Sequence, residues 1–330
     1  MSSRRRVDFK VWDQLHIFVK PLLPLLAACL GMTSCGAQAA PPGLPADTAA
    51  QLGIFDRQNL TAWCVVPFDA KKRGPEERAE MLQRIGFKNF AYDWRPKDVP
   101  TFDTETESLK KHGINLVAWW FPMDAEDPSA RIILEVIKHH GIHPQLWVMG
   151  SGNPTQTEAE QVQRTEQEAE RIRKIVGLAA PYGCKVELYN HNGWFGQPDN
   201  QVAVIERLKQ KGVGSVGMVY NFSHGHRDVA DFPAIWNRIQ HYVVAVNVTG
   251  MVMDERLIPL SQGDKELEMM RTIQHSGWRG PIGLIAEQGG DAEVTLGNNL
   301  RGLDWLSKEI AHPGSGGERP RFITATPYAK

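Results

Sequence analysis

The chain has 330 residues, 42% of them hydrophobic and 23% charged, a composition that can bury a full core and excludes a disordered or fibrous protein. Lys and Arg total 37 against 38 for Asp and Glu, for a formal charge of −1. No basic run follows the N-terminus, which argues against nucleic acid as a partner.

The first segment reads as an export signal, because Arg4, Arg5 and Arg6 precede an apolar stretch, Pro21 to Met32, that is too short to span a bilayer. Two cleavage patterns compete. Met32-Thr33-Ser34-Cys35 resembles a bacterial lipobox with the lipid on Cys35, and Ala37-Gln38-Ala39 fits an ordinary A-x-A site. Residues 1–39 are thus expected to be a signal peptide, with the mature protein periplasmic or a membrane-anchored lipoprotein. Residues 40–58, rich in Pro and Ala at their start, read as a linker. Cys64 and Cys184, isolated in strand-like runs, form no disulfide framework and read as small buried apolar residues.

From residue 59 onward short apolar runs alternate with longer amphipathic segments, the signature of a parallel sheet. The runs are 60–66, 90–94, 116–121, 145–149, 186–191, 216–222, 243–249 and 282–287. Helices are predicted over 75–85, 104–112, 128–139, 157–179, 201–210, 229–239, 264–275 and 291–310. Between helix and strand one phrase recurs, as in Arg84-Ile85-Gly86-Phe87, Lys111-His112-Gly113-Ile114 and His139-His140-Gly141-Ile142. A cationic or polar residue ends the helix, a glycine takes the left-handed position, and an apolar residue enters the strand. Eight such units predict an α/β fold of the (β/α)8 TIM barrel type, a single domain over 59–310 followed by a tail at 311–330.

In such a barrel the chemistry sits at the C-terminal strand ends. Reading them in order gives Asp93 and Trp94; Trp119, Trp120 and Asp124; Trp147 and Met149; Glu187, Tyr189 and His191; Asn221, His224 and His226; Asn247; and Glu287 with Gln288. Indole faces beside hydrogen-bonding side chains suit a small-molecule carbohydrate, with Trp94, Trp119 and Trp194 as stacking candidates. Glu187, Tyr189 and His191 alternate along one strand and so share a face. His224 and His226, joined by Glu287 and Glu187, are candidate ligands for a divalent metal such as Mn, Mg or Zn. For Glu187 a structural reading stands beside the functional one, an internal pair with Lys185. Gly212-Val-Gly214-Ser-Val-Gly217 has the dinucleotide G-x-G-x-x-G form but follows a helix and enters a strand, so no nucleotide cofactor is expected. The loops 250–253 and 288–290 carry no Lys or Arg, which favours neutral sugars over sugar phosphates.

Residues 59–310 resemble the xylose isomerase-like barrel of sugar phosphate isomerases and epimerases. The resemblance rests on Tyr189-Asn190-His191-Asn192-Gly193-Trp194, on Val219-Tyr220-Asn221-Phe222-Ser223-His224, and on Gly280-Pro281-Ile282-Gly283 running to Asn299-Leu300-Arg301-Gly302-Leu303-Asp304-Trp305. In metal-using members a glutamate, an aspartate, a histidine and a second glutamate end strands five to eight and hold one cation. Here Glu287 matches the last ligand, Asn221 stands at the aspartate, Asn247 at the histidine, and either Glu187 or Tyr189 at the first glutamate. His224 matches a substrate-holding histidine.

The resemblance implies an enzyme that abstracts a proton beside a sugar carbonyl. Glu287, Glu187 and His191 are its catalytic candidates, with His224, Asn221, Asn247 and Tyr189 holding hydroxyls. Two alternatives stay open: a lyase acting on keto-glycosides by β-elimination, and a non-catalytic sugar-binding barrel.

Overall fold

The computed structural model describes residues 53–253, 257–286 and 289–322. The signal peptide, Cys35 and Glu287 lie outside the described residues. Among the described residues eight strands and eight α-helices alternate: β1 Leu60–Trp63, α1 Pro75–Arg84, β2 Asn89–Tyr92, α2 Phe102–Lys111, β3 Asn115–Phe121, α3 Pro128–His140, β4 Gln145–Met149 and α4 Glu158–Ala179. They continue as β5 Val186–Tyr189, α5 Pro198–Gln210, β6 Gly217–Asn221, α6 Phe232–Ile239, β7 Val243–Val248, α7 Glu266–His275, β8 Ile282–Ile285 and α8 Ala292–Ala311. Every strand pairs in parallel with its neighbour, and β1 closes on β8 with Leu60 opposite Ile282. The expected TIM barrel is the observed fold.

Local chemistry sets the helix boundaries. Asp127 caps α3 by accepting from the Ser129 amide at 2.8 Å, Thr157 accepts from the Glu160 amide at the start of α4, and Asp291 from the Glu293 amide at the start of α8. Gly86 and Gly141 leave α1 and α3 at φ +89° and +61°, a region that strains any residue with a Cβ. No helix among the described residues is long and apolar enough to cross a membrane.

Side chains divide by strand parity. Leu60, Phe90, Tyr92, Trp119, Phe121, Val148, Leu188 and Tyr220 point outward into the layer shared with the helices. Trp63, Ala91, Ala118, Trp120, Trp147, Tyr189, Val219 and Ala245 fill the barrel interior. Three alanines leave room for three indoles, and the rings of Trp63 and Trp147 lie 4.2 Å apart, those of Trp120 and Trp147 4.8 Å. The Trp63 ring lies over Gly283, where an added Cβ would come within 2.1 Å of the indole. This aromatic plug floors the barrel and places the pocket above it.

Candidate active site

A cavity of about 270 Å³ opens at the C-terminal mouth of the barrel. Its walls fall into three sectors. Cys64 and Asp93, the residues that follow β1 and β2, form the first together with Arg95. Trp120 and Met149, from β3 and β4, form an apolar second sector, held by the Trp120 indole N–H directed at the Met149 sulfur at 3.2 Å. The third, from β5 and β6, carries Tyr189, His191, Asn221, Ser223 and His224. Phe68, Leu257 and Ile285 complete the lining.

The third sector is built on a fixed hydrogen-bond chain. The Asn221 Oδ1 accepts from the Ser223 amide at 3.0 Å, from the Ser223 hydroxyl at 2.9 Å and from the Asn247 Nδ2 at 2.9 Å. An amide N–H can only donate, so the carboxamide orientation is determined and its Nδ2 must donate to the Tyr189 phenol oxygen, at 2.5 Å. The phenol proton is then available to the pocket. Asn190 clamps the same wall, accepting from the Asn221 amide at 2.7 Å and donating to the Asn221 carbonyl at 3.3 Å.

The imidazoles of His191 and His224 lie 4.4 Å apart, and both are held neutral. Burial, aided by His191 and His226, pushes His224 down to about 3, and burial with Arg95 nearby lowers His191. Asn192 Nδ2 meets His191 Nδ1 at 2.9 Å. The Tyr189 phenol is pushed well above its ordinary range, first by burial.

In the first sector Asp93 is 1% exposed, and apart from the weakly donating Cys64 thiol and its own backbone N–H neither carboxyl oxygen has a hydrogen-bond partner. Burial pushes it up to about 7, against the opposing pull of Arg95. Cys64 adopts φ +50°, rare for a residue with a side chain, and its thiol is raised well above 9.0 by burial and then by Asp93. The Arg95 Nη1 donates to the carbonyls of Asp93 and Trp94, both at 2.8 Å, and holds a positive charge at the rim.

The structure brings together His191, His224, Asn221 and Tyr189, and sets Asn247 directly behind Asn221. Other candidates lie elsewhere. Glu187 is one inward layer lower, level with Trp147, and its Oε2 accepts from the Gly217 amide at 2.6 Å. Neither a pocket role nor a contact with the histidines follows from that position. His226 is buried beneath the loop, its Nδ1 3.1 Å from the Ser223 carbonyl, and does not line the cavity. Trp119 points outward against Tyr92 and Phe102, so the stacking face on β3 belongs to Trp120. Trp194 is buried, its indole donating to Gln161 at 2.7 Å, and Trp94 supports the floor by donating to the Trp120 carbonyl at 2.8 Å. Cys64, Arg95 and Trp120 carry no distinguishing sequence signal. Asp93 carries one, an acid placed directly after a strand.

Among solved structures, the chain is similar to the 3-keto-D-glucoside 4-epimerase YcjR from E. coli in its apo form, at 13% identity and a TM-score of 0.55, over 76% of this chain and 99% of that one. It is also similar to the probable 3-DHS dehydratase AsbF of Bacillus anthracis, at 12% identity and a TM-score of 0.57, over 73% of this chain and 97% of that one. A third is a xylose isomerase-like TIM barrel protein from Mycobacterium smegmatis in complex with magnesium, at 15% identity and a TM-score of 0.52, over 77% of this chain and 97% of that one. No family model and no curated protein matches the sequence. At these identities the likeness is one of fold, a (β/α)8 barrel.

A divalent cation at the usual strand ends finds a poor donor set. Three donors already occupy Asn221 Oδ1 and the Tyr189 phenol stays protonated, which leaves the buried, unpartnered Asn247 Oδ1 as the one free oxygen of the three. One free amide oxygen with no anionic ligand at the β5, β6 and β7 positions makes a weak cation site. Two groups on or beside the outer helices do bring ligand atoms together among the described residues: Asp103 with His139 and His140, and Glu76 with Glu80 and His112.

Proposed function

We propose that the protein is a carbohydrate-active enzyme of the isomerase and epimerase type, moving a proton at a carbon beside a carbonyl. One observation carries this reading: a single pocket sets an indole face, Trp120, opposite neutral donors and acceptors and beside a buried carboxyl, Asp93. The indole stacks on the C–H face of a sugar, His224 and Ser223 take hydroxyls, and the Tyr189 O–H donates to the carbonyl oxygen as it gains charge. Glu287, two residues beyond the pocket-lining Ile285, is the sequence-based candidate for a general base, with His191 as its partner at the rim. Glu187 takes no part.

The epimerase among the fold neighbours acts on a 3-keto-D-glucoside, which supports a keto-sugar substrate. The dehydratase among them supports a second reading, β-elimination from the same enolate when a leaving group stands two carbons from the carbonyl. The test is incubation of the protein in D2O with ketohexoses and 3-ketoglucosides, with and without EDTA, followed by mass spectrometry. Deuterium at the carbon beside the carbonyl is the expected result, and its absence from every sugar offered overturns the reading. The arginine-led segment at the N-terminus supports export, and N-terminal sequencing of the native protein checks it: Met1 or Ser2 at the terminus refutes it.

A further inference from the structure

Among the described residues six acidic side chains of the barrel are buried: Asp69, Asp93, Glu105, Glu168, Glu187 and Glu266. Five have partners. Asp69 binds Arg73, Glu105 binds Arg78, Glu168 binds Arg164, Glu187 accepts from the Gly217 amide and Glu266 from the Gly263 amide. Asp93 alone has no cation and no amide of another residue donating to it, only the weak Cys64 thiol beside it, and it alone of the six lines the cavity. A buried polar group left unpaired costs about 1–3 kcal/mol, and more for a charge, so its retention calls for an explanation.

Position supplies one. Ala91 faces the barrel interior and Asp93, two residues on, faces the same way one layer higher. In a closed ring of eight strands, β2 stands opposite β6, which places Asp93 across the mouth from Asn221 and close enough to Tyr189 for its charge to raise the phenol pKa. Cys64, which flanks Asp93, is held at φ +50°, and backbone strain of that kind gathers at functional sites.

We infer that Asp93 is a catalytic proton-transfer residue of this pocket, acting on the substrate carbon held between it and the Tyr189 wall, in the place the sequence offered to Glu187 or His191. The inference rests on the proposed carbonyl-sugar chemistry and deepens it. The Asp93 carboxylate takes the proton from the carbon beside the carbonyl. The C–H electron pair forms the new C=C bond while the carbonyl π pair moves to oxygen, which receives the Tyr189 proton. The reverse steps return one proton from Asp93 to carbon and one from the enol oxygen to Tyr189. The groups that face Asp93 are Cys64, Arg95, Tyr189 and the imidazoles of His191 and His224; burial raises the thiol and the phenol and lowers both imidazoles.

Asp93→Asn and Glu287→Gln, each checked for folding by its melting curve, test this in the full-length protein. Deuterium wash-in from D2O into ketohexoses and 3-ketoglucosides gives the rate, and NMR of protein labelled at the Asp carboxyl carbon follows titration. The expected result is a carboxyl titrating near pH 7 that is missing from Asp93→Asn and moves when sugar is added, with wash-in reduced roughly 10²- to 10⁴-fold in that variant. Wash-in at the wild-type rate in well-folded Asp93→Asn overturns the inference, as does a labelled set with no carboxyl titrating above pH 6. Failure of the functional reading looks different: the wild type then exchanges no sugar and no sugar moves the Asp93 titration, and the inference falls with it.

Discussion

The Asn221 side-chain amide donates to the Tyr189 phenol oxygen at 2.5 Å, and this bond fixes which proton the pocket receives from β5. Because Asn221 must donate there, Tyr189 cannot, and its O–H is directed elsewhere. The ends of β5, β6 and β7 are joined here in a neutral chain.

That chain predicts how a metal could be gained. Asn221→Asp with Asn247→His places a carboxylate and an imidazole at two strand ends, and the paired variant is expected to bind Mn2+ at least tenfold more tightly than the wild type by calorimetry. Asn221→Asp alone removes the donor to Tyr189 and buries a charge with donors on only one of its oxygens, at about 1–3 kcal/mol by denaturant unfolding. Equal Mn2+ affinity in the wild type and the paired variant counts against the donor-set argument.

Trp119 and Trp120 are adjacent in sequence and face opposite sides of β3. Trp120→Ala should weaken sugar binding roughly tenfold, the value of a lost aromatic contact, with the fold retained. Trp119→Ala should instead destabilise the protein by about 3–5 kcal/mol and leave the affinity of the folded fraction unchanged. Calorimetry and unfolding measured on both variants separate the two roles, and a reversed pattern refutes the assignment.

Glu187 is pushed up to about 8 by burial, against the Gly217 hydrogen bond and Lys185. Its pKa in the unfolded chain is about 4.3, so between those values the folded state holds a proton that the unfolded state has released. Stability is therefore highest below the unfolded value and falls as pH rises to about 8. Glu187→Gln, which keeps an acceptor for Gly217, should remove that slope and stabilise the protein at pH 8 relative to pH 5, while turnover stays within about threefold. The burial of His224 as a neutral ring acts in the opposite sense below about pH 6.5 and cancels in the difference between variant and wild type. A variant with an unchanged pH slope, or with turnover lost at full stability, contradicts this placement.

Arg95 puts a positive charge at a rim whose other loops suggested neutral sugars. Its Nη1 is engaged with two carbonyls, while Nη2 and Nε remain for a ligand. Arg95→Gln should leave binding of a neutral sugar within about threefold and lower the affinity for a sugar acid by roughly tenfold, the usual worth of a charge-assisted hydrogen bond at a partly exposed site. Equal losses for both ligands would assign Arg95 to loop structure alone.

The barrel was legible because its signals are local. Glycines 86, 113, 141, 212 and 277 all adopt positive φ where the sequence phrase places them, and the strands and helices fall at or within a few residues of their expected positions. On β5 and β6 an acid, a phenol and a carboxamide mark the inward face, so Tyr189 and Asn221 could be placed from alternation alone. On β3 the run from Leu116 to Phe121 is apolar on both faces, as strands covered on both sides are, and parity between Trp119 and Trp120 leaves no trace. Depth was also hidden: alternation sets Glu187 and Tyr189 on one face without saying that one lies a layer below the cavity. Asp93 stood among the strand ends, but its lack of a cation or amide partner exists only once the barrel closes.

The Cys64 thiol has a further consequence, for durability. Peroxide and electrophiles attack the thiolate, and burial beside Asp93 keeps this sulfur protonated at any physiological pH. A cysteine at the edge of a reactive pocket is thereby chemically quiet, and oxidising surroundings should leave the site intact for as long as Asp93 remains its neighbour.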